Sequence, residues 1–251
     1  MKTPFHLDGK RILVTGASSG IGRQVAISVT EMGGTVLITG RDKVRLEHTY
    51  AALRGDGHQQ LLADLLHGPD RTALIDALPG LDGIVHSAGI VQVFPIKFVH
   101  QALLSETMDI NYKAPALLTA EITKKKKLNK RASIVFISSI ASQAPWKGGS
   151  SYGASKAALE AFSRVLALEF QQQGIRANCI SPAMVKTAMY DTAESVASKE
   201  KMTEYMERYP LGVGHPDDVA NAAIFLLSEA SRWITGINMV LDGGFLINDQ
   251  Q

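Results

Sequence analysis

Tyr152 and Lys156 stand four residues apart in Ser150-Ser151-Tyr152-Gly153-Ala154-Ser155-Lys156, at the head of a long apolar-periodic segment. On a helix, positions four apart share a face, separated by about 40° around the axis. A phenol would then lie beside an ammonium. A free Tyr titrates near pH 10, so it is a poor acid at neutral pH. A neighbouring cation favours the phenolate and lowers that value. The pair predicts a phenol tuned to hand a proton to a carbonyl or take one from an alcohol. An exposed aromatic beside a surface lysine is the competing reading of these seven residues alone.

A second group of residues suits an anion. Thr15-Gly16-Ala17-Ser18-Ser19-Gly20-Ile21-Gly22 follows a predicted strand and opens a predicted helix. Glycines there allow a tight turn and close approach of backbone to a pyrophosphate. The helix start adds free N–H groups and partial positive charge. Gly16, Ser18, Ser19, Gly20, Ile21 and Gly22 are therefore expected to bind a dinucleotide. The second strand ends in Gly40-Arg41-Asp42. An acidic residue there would bind a ribose 2′-hydroxyl, whereas an Arg accommodates a 2′-phosphate. Asp42 is better explained as a helix cap. Gly40 leaves space and Arg41 offers a forked donor, so NADP(H) is expected over NAD(H). Asp64, with Leu65 after it, follows the third strand. Its carboxylate could accept from an adenine amino group or cap the next turn, and the residues leave both open.

The elements that must position these groups alternate. β-branched runs at 11–15, 35–39, 59–62, 83–86, 133–137, 175–180 and 236–241 are separated by helical patterns at 20–32, 42–53, 69–78, 102–123, 150–173 and 217–228. That alternation predicts an α/β fold: one single-domain, Rossmann-type, doubly wound parallel sheet of about seven strands with helices on both faces, over residues 1–251. The chain has 251 residues, 45% of them hydrophobic, and a net charge of +2, enough for one large core and too little charge to argue for nucleic acid. Its single cysteine, Cys179, permits no internal disulfide and suits a reducing compartment. It reads as a small buried hydrophobe. Met1 to Lys10 has no apolar signal core and no run reaches membrane-spanning length, so a soluble cytoplasmic protein is expected. No metal ligand set is expected.

Taken together, these motifs strongly resemble the classical short-chain dehydrogenase/reductase family, from Gly9 to Gly244. Its Thr-Gly-x-x-x-Gly-x-Gly turn matches Thr15 to Gly22 and its Tyr-x-x-x-Lys matches Tyr152 to Lys156. The resemblance implies a catalytic Ser at Ser139, thirteen residues before the Tyr, and a catalytic Asn at Asn111. It implies hydride transfer between a nicotinamide and a carbonyl or carbinol carbon. Tyr152 would be acid or base, and Lys156 would lower its pKa and hold the nicotinamide ribose. Ser139 would bond the substrate oxygen, and Asn111 would hold a water linking Lys156 to solvent. The family's Asn-Asn-Ala-Gly is His86-Ser87-Ala88-Gly89 here; Ser87, Ala88 and Gly89 would pass beside the cofactor, and His86 is expected to be a packed strand-end residue. Its Pro-Gly is Pro182-Ala183, which suggests a slightly altered turn; Pro182 would lie among the cofactor-binding residues, and Val185 and Thr187 would meet the nicotinamide carboxamide.

The segment 186–211 is long for a connection and is expected to be a substrate lid. It holds Met189, Tyr190, Met202, Tyr205, Met206 and Tyr209. Gln143 and Trp146, with Met189 and Tyr190, are expected to line a substrate pocket. The run Lys124-Lys125-Lys126-Lys127, with Lys130 and Arg131, ends a helix and reads first as a solvated face. The chain is also similar to 3-oxoacyl-carrier-protein reductases of the same family, which would make that run a docking site for acyl carrier protein. Gln173 stands where an Arg would have strengthened this. Reduction of a small ketone or aldehyde is the leading reading, the carrier-protein reductase the alternative, and a non-catalytic NADP(H)-binding sensor or scaffold the remoter one. The resemblance implies a homotetramer, with Ala154, Ala157, Ala158 and Ala161 keeping one helix slim; no nucleic acid or membrane partner is expected.

Overall fold

The computed structural model describes residues 3–187 and 205–248. Seven parallel strands form one sheet: β1 Arg11–Thr15, β2 Thr35–Gly40, β3 Gln59–Leu62, β4 Leu81–His86, β5 Leu128–Ile137, β6 Arg176–Pro182 and β7 Asn238–Leu241. They lie in the order β3-β2-β1-β4-β5-β6-β7. The order reverses beside β1, and ligands in such sheets bind outside the carboxyl ends of the strands at that switch. The helices are α1 Gly20–Glu31, α2 Lys43–Ala51, α3 Gly68–Ala77, α4 Gln101–Met108, α5 Ala114–Lys124, α6 Ser150–Glu169, α7 Pro216–Leu227 and α8 Phe245–Asn248. Among the described residues no helix is long and apolar enough to cross a membrane.

Successive strand residues point to opposite faces, and both faces are covered. Leu13, Leu37, Ile84, Ile134 and Phe136 pack with Leu74 of α3, Leu118 and Ile122 of α5 and Leu159 of α6. Ile12, Val14, Ile38, Val85 and Val135 pack with Val25 and Val29 of α1, Leu46 of α2 and Ala223 and Leu227 of α7. Burying each Ile or Leu contributes about 1.5–3 kcal/mol. Two-sided burial explains why the strands read as near-continuous apolar runs.

Local signals set the helix ends. Asp42 caps α2, its Oδ1 accepting from Arg45 N at 2.9 Å. Asp218 closes the start of α7 by accepting from His215 N at 2.7 Å. Two elements differ from the sequence reading. The helix expected over 102–123 is α4 and α5 joined by a π-helical turn, Asp109–Lys113, in which Ala114 N donates to Asp109 O five residues back. The physical reason is Pro115: it has no N–H for the carbonyl four residues behind it, which is that of Asn111, and its ring crowds that carbonyl. β5 begins at Leu128, not Ser133, because Leu81 pairs with Leu128 before the register with β4 shifts.

Candidate active site

A cavity of about 1250 Å³ opens at the carboxyl ends of the strands. One end is lined by Gly16, Ser18, Ser19, Gly20 and Ile21, with Thr39 to Arg45 and Ala63 to Leu66 beside them. The middle is lined by Ser87, Ala88, Gly89, Pro182, Val185 and Thr187. At the far end stand Ser139, Trp146, Tyr152, Lys156, Met184, Tyr205, Arg208, Tyr209 and Phe245.

The glycine end fits a dinucleotide. Gly16 has φ +65°, and a Cβ there would stand 2.6 Å from Ala88 N, so only glycine lets β1 and β4 close this way. Ser19 is the N-cap residue of α1 but gives it no side-chain bond. The hydroxyls of Ser18 and Thr39 are buried and have no partner, which suits polar groups awaiting a ligand. Gly40 leaves the space that Ser18 Oγ fills; a Cβ would fall on that oxygen. Asp42 is engaged by Arg45 through both its backbone N and its Nε, the latter at 2.7 Å. These bonds hold the Asp42 carboxyl below the usual carboxylate range. Arg41 lines the cavity without an acidic partner among the described residues. Asp64 Oδ1 accepts from Leu66 N at 2.9 Å, the turn-capping reading, with its second oxygen left over. Gly22 is buried behind Gly16 and does not line the cavity.

At the chemical end the strand and helix signals bring Ser139, Tyr152 and Lys156 together. Ser139 follows β5 and opens a 3₁₀ turn, Ile140–Ser142, its Oγ accepting from Ala141 N at 3.2 Å. Ser139 Oγ donates to Pro182 O at 3.4 Å and lines the cavity beside Tyr152. Lys156 Nζ donates to Ile137 O at 2.8 Å and lies 5.5 Å from the centre of the Tyr152 ring. The expected lowering of the phenol's pKa is not found. Burial, with Trp146 packed 5.6 Å away, pushes Tyr152 up, against a smaller opposing pull from Ser139. The lysine is the group that moves down, to about 8, because burial disfavours its charge.

Asn111 sits behind the cavity, fully buried. Its Oδ1 accepts from Ile90 N at 2.8 Å, and its Nδ2 donates to Ile90 O at 2.9 Å and to Ser155 Oγ at 3.0 Å. Its amide hydrogens are thus spent on the strand-to-helix loop and α6, and the main-chain carbonyl is denied its usual helical partner by Pro115. Gly89 leaves open the space beside Asn111 Oδ1 and Lys156 Nζ, where a Cβ would stand 3.2 Å and 3.5 Å from them.

Some expected residues lie elsewhere. Gln143 is exposed and does not line the cavity, because its N–H bonds Ile140 O at 2.8 Å and the turn carries the side chain outward. Met189, Tyr190 and Met202 lie outside the described residues. Ala183 takes its place with negative φ, its N–H bonding Leu241 O at 2.9 Å, so the turn tolerates alanine without strain. His86 is packed, as expected: it stacks on Phe136 at 4.8 Å and its Nε2 meets Thr119 Oγ1 at 2.9 Å. Phe245 and Arg208 were missed; the only signals were an aromatic after Gly243-Gly244 and a cation between two tyrosines. Arg208 lies over the Phe245 ring at 4.3 Å. The lysine run sits at the start of β5, the opposite edge of the sheet. Lys125 pairs with Asp76 at 3.0 Å and Lys127 bonds Leu78 O.

Comparison with known proteins agrees with this layout. A family profile described as enoyl-(acyl carrier protein) reductase matches residues 16–246. A 3-oxoacyl-(acyl-carrier-protein) reductase from Rickettsia felis is 34% identical, covering 97% of this chain and 99% of its own length. Human dehydrogenase/reductase SDR family member 4 is 32% identical, covering 95% of this chain and 88% of its own. A crystal structure from Agrobacterium tumefaciens, provisionally assigned as a 2-deoxy-D-gluconate 3-dehydrogenase with bound NADP, superposes with a TM-score of 0.85 at 30% identity, covering 98% of this chain and 100% of that one.

Proposed function

The chain belongs to the short-chain dehydrogenase/reductase family, and we propose that it is an NADP(H)-dependent oxidoreductase interconverting a small ketone or aldehyde and its alcohol. Tyr152 is the proton donor and acceptor. The observation that carries the reading is one cavity with a glycine cradle at one end and Ser139, Tyr152 and Lys156 at the other.

A bound nicotinamide supplies or accepts the hydride. The chain supplies the rest. Burial keeps the Tyr152 hydroxyl protonated at neutral pH, which is the form an acid needs for carbonyl reduction. Ser139 offers its hydroxyl to the substrate oxygen as charge builds there. Lys156, hung from Ile137, faces the phenol with an ammonium. Asn111 fixes the loop at Ile90 by side chain, and its main-chain carbonyl, to which Pro115 has no N–H to give, is the acceptor for a relay water. Gly16, Ser18, Ser19, Gly20 and Ile21 hold the phosphates; Ser87, Ala88, Gly89, Pro182, Val185 and Thr187 wall the nicotinamide. Arg41 takes the 2′-phosphate while Asp42 stays with Arg45, hence NADP(H) over NAD(H). The NADP in the Agrobacterium structure supports a dinucleotide in this fold. Trp146, Met184, Tyr205, Tyr209 and Phe245 suit a substrate with an apolar body.

The Rickettsia relative favours a second reading, reduction of a 3-oxoacyl group on a carrier protein. The lysine run offers less to it than the sequence suggested, since the ten residues of β5 separate it from Ser139 by roughly 30 Å. A homotetramer is proposed from the slim α6, whose outer face also exposes Val165 and Leu168.

The test is oxidation of NADPH and NADH against ketones, aldehydes and 3-oxoacyl thioesters. Turnover of free carbonyls with NADPH preferred supports the first reading. Turnover of thioesters alone supports the second. Bound NADPH with no oxidation across the panel overturns both in favour of a sensor.

A further inference from the structure

Glu160 is a buried carboxylate one turn after Lys156 on α6, and proton transfer as described above makes no use of it. Three serine hydroxyls converge on its Oε1: Ser138 at 3.0 Å, Ser181 at 3.1 Å, and Ser142. Each belongs to a segment that bounds Ser139. Ser138 precedes it. Ser142 closes the 3₁₀ turn that Ser139 opens, its N–H donating to Ser139 O at 3.2 Å. Ser181 precedes Pro182, whose carbonyl accepts from Ser139 Oγ.

None of these serines depends on Glu160 for a partner. A hydroxyl has one proton to give, and each has a second acceptor: Lys156 O at 3.2 Å for Ser138, Ser139 O at 2.9 Å for Ser142, and Asn238 Oδ1 at 2.7 Å for Ser181. Asn238 Nδ2 is buried without a partner. With that amide turned by half a rotation, Nδ2 donates to Ser181 and Ser181 gives its proton to Glu160. A buried carboxylate is costly to desolvate, and with an apolar side chain Ser138 and Ser142 would keep their second acceptors while Ser181 would keep Asn238 Oδ1 in the other orientation of that amide. What the carboxylate contributes is a tie between the end of β5, the 3₁₀ turn and the end of β6 on one side and α6 on the other.

We propose that Glu160 is a positioning residue: it holds the Ser139 hydroxyl against the Tyr152 phenol by anchoring the Ser139 turn and the end of β6 to the helix that carries Tyr152 and Lys156. The inference rests on the roles given to Ser139 and Tyr152 above. Its charge is secondary to its acceptor, so glutamine serves in its place.

The experiment compares Glu160→Leu and Glu160→Gln, alone and with Ser139→Ala. Glu160→Leu is expected to fold and to bind NADPH nearly as the wild type does, while kcat falls about tenfold or more and KM changes little. Glu160→Gln should stay within about threefold of wild-type kcat. In the Ser139→Ala background, Glu160→Leu should cost nothing further, because coupled residues are not additive. In the protein without cofactor or substrate, the amides of Ala141 and Ser142 should exchange about tenfold faster in Glu160→Leu and unchanged in Glu160→Gln. Wild-type kcat in Glu160→Leu, losses that multiply with Ser139→Ala, or unaltered exchange would each overturn the proposal. A wild type that turns over no substrate sinks the proposed reaction instead, and the exchange measurement still decides what Glu160 holds.

Discussion

Lys156 Nζ donates to the main-chain carbonyl of Ile137 at 2.8 Å, which hangs the amine from the last residue of β5 rather than from the phenol it faces. Strand and helix are thereby joined through the group whose charge matters most. The amine keeps one fixed position while its proton inventory depends on pH.

That dependence gives the first prediction. Burial lowers Lys156 from 10.5 to about 8 and raises Tyr152. Carbonyl reduction uses a charged amine and a protonated phenol, so kcat/KM for reduction should fall as pH rises through about 8. Lys156→Arg keeps its charge and should move the fall to higher pH, measured in the same pH–rate profile. The stability effect has the opposite sign. Between about 8 and 10.5 the unfolded state binds the extra proton, so this group lets stability rise with pH across that window.

Tyr152→Phe removes the hydroxyl and leaves the ring against Trp146. NADPH affinity and thermal midpoint should hold, and turnover should fall by about 10²–10⁴, the usual contribution of a positioned acid. Fluorescence titration beside steady-state kinetics separates the two effects. Near-normal turnover refutes the role.

Arg41→Ala should weaken NADPH by about tenfold or more, the scale of a lost charged hydrogen bond, and leave NADH almost unchanged. Equal losses for both cofactors, read by titration, would remove Arg41 from the 2′-phosphate. Gly40→Ala is the companion variant. Its Cβ would fall on Ser18 Oγ, so both cofactors should weaken together.

His86 should make the protein sensitive to acid. Burial holds its imidazole neutral, with a value of about 3. Between 6.5 and about 3 the unfolded state binds a proton the folded state refuses, so stability falls as pH drops through that range, by about 3 kcal/mol at pH 4. Denaturant melts of His86→Asn across that range should lack this component of the slope. An identical slope in the variant refutes the assignment.

The sheet was legible because its strands are buried on both faces and therefore spell continuous apolar runs, as in Arg11 to Thr15. The Asp42 cap was legible because its function is local. So were the glycines, which depend on backbone geometry alone. What escaped depends on distant parts of the chain. The environment of Tyr152 is set by Trp146 and by the length of the Lys156 tether, which spacing along one helix does not contain. Glu160 reads as a polar residue on a helix until β5 and β6 bring three serines to it. Phe245 reaches the cavity only because β7 ends beside Pro182. The outward turn of Gln143 is decided by one backbone bond.

Leu103, Thr107, Asn111 and Pro115 follow one another at strict intervals of four. In an unbroken α-helix each such step drifts by about 40°, so the fourth member would have swung toward solvent. All four are buried, because the wide turn at Asp109–Lys113 takes up the accumulated rotation. Winding these same residues as a regular α-helix would rotate everything after them by about 100°, so that Leu118 and Ile122 would lose the sheet. The irregular turn is what keeps two halves of one column in phase.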